Sequence, residues 1–201
     1  MGLKLVTPPS VEPITLSEAK LHLRVIQDNE DALIESLITA AREYCEDFQN
    51  RAYVEQTWKL TFDEWPEFPF ELPKPPLIGV EKIEYKDDEG NVTEWDDDNY
   101  VVDEYSFLPR VALADDYTIP NDNLYPVSAI QVTYEVGYEP DDSGESIDYT
   151  VNIPEKVKAA MKLLIGHWHK HREAVETQGS IPKPLKLAVH ALLMQDRVVP
   201  L

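Results

Sequence analysis

The sequence predicts an α+β fold, a four-helix domain formed by an N-terminal and a C-terminal pair of helices, with an antiparallel β-sheet module inserted between the pairs. Three observations carry this reading. Apolar residues recur at spacings of three and four at both ends of the chain, and the spacing changes to two in the middle. Neither terminal pair is long enough to bury its own apolar stripe, so the two pairs must cover each other.

After a proline-rich lead (Pro8, Pro9, Pro13), Thr15 and Glu18 stand three apart ahead of Leu21 and Leu23. That is the capping-box pattern of a short helix, expected to end near Val25. Asp28 and Asp31 announce a longer helix in which Leu33, Ile34, Leu37, Ile38, Ala41, Tyr44, Cys45 and Phe48 share one face. From about Ala52 the period is two: Trp58, Leu60 and Phe62 alternate with Thr57, Lys59 and Thr61, as a half-buried strand requires.

Further strands are expected at Gly79–Tyr85, Val92–Trp95, Tyr100–Val102, Arg110–Leu113 and Ala129–Val136. The first two flank the turn-rich run Asp87–Asn91. In the last, Ile130, Val132, Tyr134 and Val136 face one way and Gln131, Thr133 and Glu135 the other. An acidic loop over Glu139–Asp148 follows. The third helix opens at Pro154, expected as its first helical residue, and carries Val157, Ala160, Met161, Leu164, Ile165 and Trp168 on one face. A break around Gly179, Pro182 and Pro184 precedes a fourth helix with Leu185, Ala188, Val189, Leu192 and Leu193. The expected organisation is residues 1–52 for the first helices, 53–153 for the inserted module, and 154–201 for the last helices and a tail.

With 43% hydrophobic and 28% charged residues, the 201-residue chain has the composition of a folded protein. Its net charge of −20 argues against nucleic-acid binding by bulk charge. The charge is unevenly distributed, with nets of −4 over residues 1–52, −20 over 53–153 and +4 over 154–201, which suggests surfaces with different partners. The single cysteine, Cys45, falls on an apolar helix face and fits a reducing, cytoplasmic setting. No run of about 18 apolar residues marks a membrane span, and no secretion signal is legible.

Signals for chemistry are few. His167 and His171, four apart, share a helix face as metal ligands would, but no glutamate stands between them in the order a zinc protease needs and no cysteine partners them. His169 points elsewhere. The carboxylates at Asp87–Glu89, at Asp96–Asp98 and at Asp141, Asp142 and Glu145 lack the spacing of a calcium loop and read as solvated turns. With seven glycines there is no phosphate loop and no nucleophile elbow. Trp58 beside Lys59 and Trp168 near Lys170 fall on expected buried faces, so they read as core and not as base-stacking platforms. No catalytic residue, metal site or cofactor is assigned.

The segment Pro13–Val25, followed by Asp31, Leu33, Ile34 and the run Ala40–Tyr44, resembles the N-terminal helices of tailed-phage head-tail connector proteins, a family that includes gene transfer agent adaptors. The resemblance continues in Gln56 and Thr57, in Pro73, Pro75, Pro76 and Leu77, in Gly137 and Tyr138, and in the helix from Pro154 through Trp168 to Glu173. It implies a non-enzymatic adaptor: a ring of twelvefold symmetry under the portal protein at the head-tail junction of a virion, assembled in the host cytoplasm. DNA would pass through the ring without sequence-specific binding. A stopper or tail terminator protein would dock on the tail side, and no membrane is involved. The resemblance further implies that C-terminal residues reach the portal, a role that falls here on Arg197, Val198, Val199, Pro200 and Leu201. Smaller connectors are nearly all helical, so details for the acidic module follow the longer relatives only. Two other readings stand beside this one: a DNA-packaging accessory acting through the basic C-terminal segment, and a particle-associated hydrolase using the acidic loops.

Overall fold

The computed structural model describes every residue except Asp116, Asn121, Asp122, Asp142, 144–146, 173–182, Pro200 and Leu201. Expectations that rest on Asp142, Glu145, Glu173, Gly179 and Pro182 therefore lie outside the described residues. In chain order the elements are β1 (Gly2–Thr7), α1 (Leu16–Leu23), α2 (Asp31–Gln49), β2 (Gln56–Phe62), β3 (Phe70–Glu71), β4 (Leu77–Lys86), β5 (Val92–Trp95), β6 (Tyr100–Asp103), β7 (Arg110–Leu113), β8 (Ile130–Val136), α3 (Glu155–Lys170) and α4 (Lys183–Leu193). The chain divides into two compact units, one of Met1–Ser10 with Val54–Glu139 and one of Val11–Tyr53 with Pro140–Leu201.

The helical unit begins with the expected capping box: the Glu18 amide donates to Thr15 Oγ1 at 3.2 Å, and the Thr15 amide donates to Glu18 Oε2 at 2.8 Å. Helix α1 stops at Leu23, short of Val25, because Arg24 takes a left-handed conformation (φ 58°) and closes the last turn. Asn50 does the same after α2 at φ 53°. Ile34, Ile38, Ala41 and Cys45 of α2 pack into a core shared with Val157, Ala160, Met161, Leu164 and Ile165 of α3 and with Val189 and Leu193 of α4. Tyr44 meets Trp168 edge-on at 6.2 Å. Pro154 stands just before α3, as its N-terminal cap residue and not its first helical residue. Pro184, expected in a break, lies in the first turn of α4, where a proline removes no helical hydrogen bond.

A charged group inside this core is fully answered. Arg42 donates to Glu12 at 2.9 Å and to Glu46 at 2.8 Å. Glu46 in turn accepts the Tyr53 amide at 2.9 Å, which ties the end of α2 to the chain that leaves it.

The sheet unit holds two antiparallel sheets where one was expected. A five-stranded sheet runs in the order β1-β2-β8-β4-β5 and a three-stranded one in the order β3-β7-β6. Strand β8 is central, and its alternation is the clearest in the sequence for that reason. Thr133 is buried all the same, since its own face is crossed by Lys59, which donates to Gln131 at 3.0 Å, and by Glu84 of the next strand. An aromatic cluster joins elements of both sheets: Trp95 of β5 lies 4.8 Å from Trp65, 5.6 Å from Tyr100 of β6 and 5.9 Å from Phe68, which in turn lies 5.3 Å from Phe70 of β3. Gly137 ends β8 at φ 128°, a conformation open to glycine, with its amide donating to the Pro76 carbonyl at 2.9 Å.

Candidate assembly surfaces

The C-terminal segment that the sequence singles out is held against its own helix α2. Gln49, the last residue of α2, is buried, and its side-chain amide donates to the Leu193 carbonyl at the end of α4. The Val198 amide donates to the Gln49 carbonyl at 2.8 Å, and the Asn50 side chain donates to the Val198 carbonyl at 2.8 Å. Arg51 Nε donates to the Asp196 carbonyl at 2.6 Å, while the Asp196 carboxylate pairs with Lys156 of α3 at 2.5 Å. The Arg197 guanidinium sits 4.8 Å from the Phe48 ring, whose centroid lies 4.3 Å from that of His190. Burial, with the Lys186 and Arg197 charges, pushes the His190 imidazole below its ordinary value.

The five candidates therefore separate. Val198 is only 6% exposed and belongs to the helical core, and Arg197 is half-buried on Phe48, while Val199 is 67% exposed. Pro200 and Leu201 lie outside the described residues. Leu187 and Met194 are also exposed, seven residues apart on α4 and its continuation, and the sequence reading did not single them out.

The histidines do not converge as a group. His167 and His171 lie 4.8 Å apart ring to ring, and burial with the nearby His171 lowers the His167 pKa. His169 contacts Glu30 at 2.9 Å, and Glu30 also accepts from Arg172 at 2.5 Å. Among the described residues neither His167 nor His171 is joined by a third metal-ligating group.

The acidic residues serve as turn builders. Asp87 accepts from Asn91 through both carboxylate oxygens, Asp96 caps the 3-10 turn at Asp97–Asn99, and Asp148 accepts the Thr150 amide. Asp103 is the most heavily bonded, accepting from Ser106 Oγ at 2.6 Å and from Arg110 Nη2 at 2.6 Å, and these bonds hold its carboxyl at about 2. Asp87, Asp141 and Asp148 are likewise shifted below their ordinary value by the bonds they accept, the direction of a stable carboxylate and not of a general acid. Asp96, Asp97 and Asp98 bring their oxygens together in the open, where acidic side chains commonly stand without an ion.

Two surfaces were missed by sequence reasoning. All six residues of β1 are exposed, including Leu3, Leu5 and Val6, at the edge of the five-stranded sheet. Tyr105, 98% exposed, stands at the tip of the β6–β7 hairpin that Asp103 ties together. In the first case the signal was present, since Gly2–Thr7 alternates leucine with small or charged residues. In the second the turn was legible but the projecting ring was not.

Exposed apolar strand and helix surfaces on a well-packed frame define an assembly protein, one whose working parts are surfaces. The chain belongs to the head completion protein family, which matches residues 12–181. Among solved structures the fold is similar to a chain described as "Neck of empty GTA particle computed with C6 symmetry", with a TM-score of 0.78 at 21% identity over 100% of this chain and 97% of that one. A chain of "Virion of native gene transfer agent (GTA) particle" aligns with a TM-score of 0.76 at 21% identity, and one of "Neck of native GTA particle computed with C12 symmetry" with 0.76 at 20%, both over 100% of this chain and 97% of the other. No curated protein matches the chain.

Proposed function

We propose that this protein is the head-tail connector of a phage or phage-like particle, a ring-forming adaptor that sits beneath the portal protein and links the filled head to the tail without catalysing a reaction. The observation that carries this reading is the family match over residues 12–181 together with a fold shared end to end with neck components of GTA particles. A twelvefold ring agrees with the C12 symmetry of one of those necks, and a head-to-tail ring needs two different faces on every subunit. The surfaces described above supply more than one.

The portal contact falls on the candidate segment Arg197–Leu201, with divided labour. Arg197 and Val198 anchor the segment to α2 and Val199 is exposed beyond them, so the apolar end of the chain would meet a groove or sheet edge of the portal. The tail-side surface would receive a stopper or tail terminator protein.

The direct test mixes the purified protein with its portal ring and images the product, using the full chain and a variant lacking Arg197–Leu201. A ring of density below the portal that disappears with the truncation supports the reading. Absence of any binding by the full chain at low and moderate salt overturns it.

A further inference from the structure

We propose that β1 of one copy adds, antiparallel, to the open edge of β4 in the neighbouring copy, so that adjacent subunits of the ring share one continuous sheet. This rests on the ring reading above and names the two faces that the ring requires.

Strand β1 pairs only with β2, and its outer backbone edge is free among the described residues. An exposed strand edge carrying apolar side chains invites another strand, and stable monomers guard such edges with charges, prolines or short lengths. Here six residues are exposed, three of them are Leu3, Leu5 and Val6, and the one charge is Lys4.

The opposite end of the same sheet offers a matching vacancy. Strand β4 pairs with β8 from Leu77 to Tyr85, but β5 covers its other side only from Ile83 to Lys86. The stretch Leu77–Lys82 thus presents a second edge, on which no backbone hydrogen bond falls among the described residues. Each edge is six residues long, with register irregularities between Leu5 and Thr7 in β1 and between Leu77 and Gly79 and between Val80 and Lys82 in β4.

Direction fits as well as length. Strand β1 is antiparallel to β2, while β2 and β4 are both antiparallel to β8, so β1 runs opposite to β4. One step around a large ring turns a subunit through a small angle, so the neighbour's β1 arrives antiparallel to β4 and in line with β5. The contact is heterologous, as closure of a ring demands. Both edges lie in one compact unit.

Side chains select a register. Leu5 and Val80 both hold regular register in their own sheet, and setting them across from each other brings Lys4 toward the exposed Glu81, of opposite charge, and Val6 toward Gly79. Among the described residues, chain neighbours apart, no atom lies within 4 Å of where a Gly79 side chain would begin, so that position leaves room for the Val6 side chain. Cross-strand pairing of this kind draws affinity from main-chain hydrogen bonds and specificity from alternate side chains.

The experiment is a double variant, Leu5→Cys with Val80→Cys, oxidised mildly after rings on the portal have been verified by electron microscopy. Within one copy β2 and β8 separate the two positions by three strand spacings, roughly 14 Å, whereas a disulfide needs Cα atoms within about 7 Å. Any bond is therefore between copies, and the buried Cys45 does not compete. The expected result on a denaturing gel without reductant is a ladder of covalent oligomers that neither single variant gives. Val6→Lys, at an exposed position that the monomer tolerates, is expected to reduce ring yield about tenfold or more by burying a charge in the shared sheet. Rings that form without a ladder and withstand Val6→Lys overturn the shared sheet and leave the connector reading standing. Failure of the unmodified protein to form rings overturns the connector reading, and the shared sheet with it.

Discussion

The Val198 amide donates to the Gln49 carbonyl at 2.8 Å, so the chain that follows α4 is fastened to the last residue of α2. Gln49 works in three directions: its carbonyl holds Val198, its side-chain amide holds the Leu193 carbonyl, and its side-chain oxygen accepts the Tyr53 hydroxyl. Gln49 thus makes the largest share of the contacts that fix where the outgoing segment starts, beside those of Asn50 and Arg51.

Gln49→Ala is therefore expected to destabilise the helical unit by about 2–3 kcal/mol, since it removes two buried hydrogen bonds at once, the one from the Tyr53 hydroxyl and the one to the Leu193 carbonyl. Urea unfolding measures the loss. The amide of Val198 should exchange faster than in the unmodified protein, and portal retention should weaken although Gln49 is buried. Unchanged exchange at Val198 would show that the segment is held by Asn50, Arg51 and Phe48 without it.

Much of this fold was legible in the sequence, and the exceptions have physical causes. The strand β8 was plain because a central strand has its faces set by burial, and α2 and α3 were plain because each carries one continuous apolar face. Strand β1 was missed although its leucines alternate, because six residues exposed on both faces give that alternation no buried side to confirm it, and β3 because two residues have no period. The separation into two sheets depends on which edges pair, a nonlocal choice that alternation does not record. At the candidate segment, the apolar character of Val198 and Val199 was equally visible for both. That Val198 turns inward is decided by Gln49, Asn50 and Arg51, which lie far away in sequence.

Cys45 provides a test of the helical core. Burial first, and the nearby Glu46 charge second, push its thiol up to about 12, so almost no thiolate exists at neutral or mildly alkaline pH. Native protein at pH 8 is expected to resist thiol-directed alkylation over hours and to react within minutes in denaturant. Rapid labelling of the folded protein would mean that α2 separates from α3 and α4 under native conditions. Labelling over a range of denaturant concentrations would then measure that opening.

The Asp103 hairpin should respond to acid. The Ser106 and Arg110 side chains, in that order, depress the folded pKa to about 2, against about 3.9 in an unfolded chain. A depressed carboxylate pKa contributes stability that is complete above about pH 4 and is lost as pH falls toward about 2. The turn bearing Tyr105 is expected to loosen across that window, read from the Ser106 amide, which donates to Asp103 at 3.2 Å. Asp103→Asn should loosen the turn at neutral pH and remove the local acid transition. Acid loss of other capped turns, such as those at Asp87 and Asp148, makes this local probe preferable to a global melting curve.

Gly137 separates backbone necessity from mere smallness. Its φ of 128° strains any other residue, and an added Cβ would stand 2.5 Å from the Val54 carbonyl carbon and 2.6 Å from the Glu55 nitrogen, both main-chain atoms that cannot turn aside. Gly137→Ala is expected to cost more than about 3 kcal/mol and to lower the yield of soluble protein sharply. Gly79→Ala meets open space in a strand and should leave stability within about 1 kcal/mol of the unmodified protein. Thermal unfolding of the two variants side by side gives the comparison. Equal midpoints would mean that the end of β8 can move away from Val54, and that the crossing there is not a fixed point of the sheet unit.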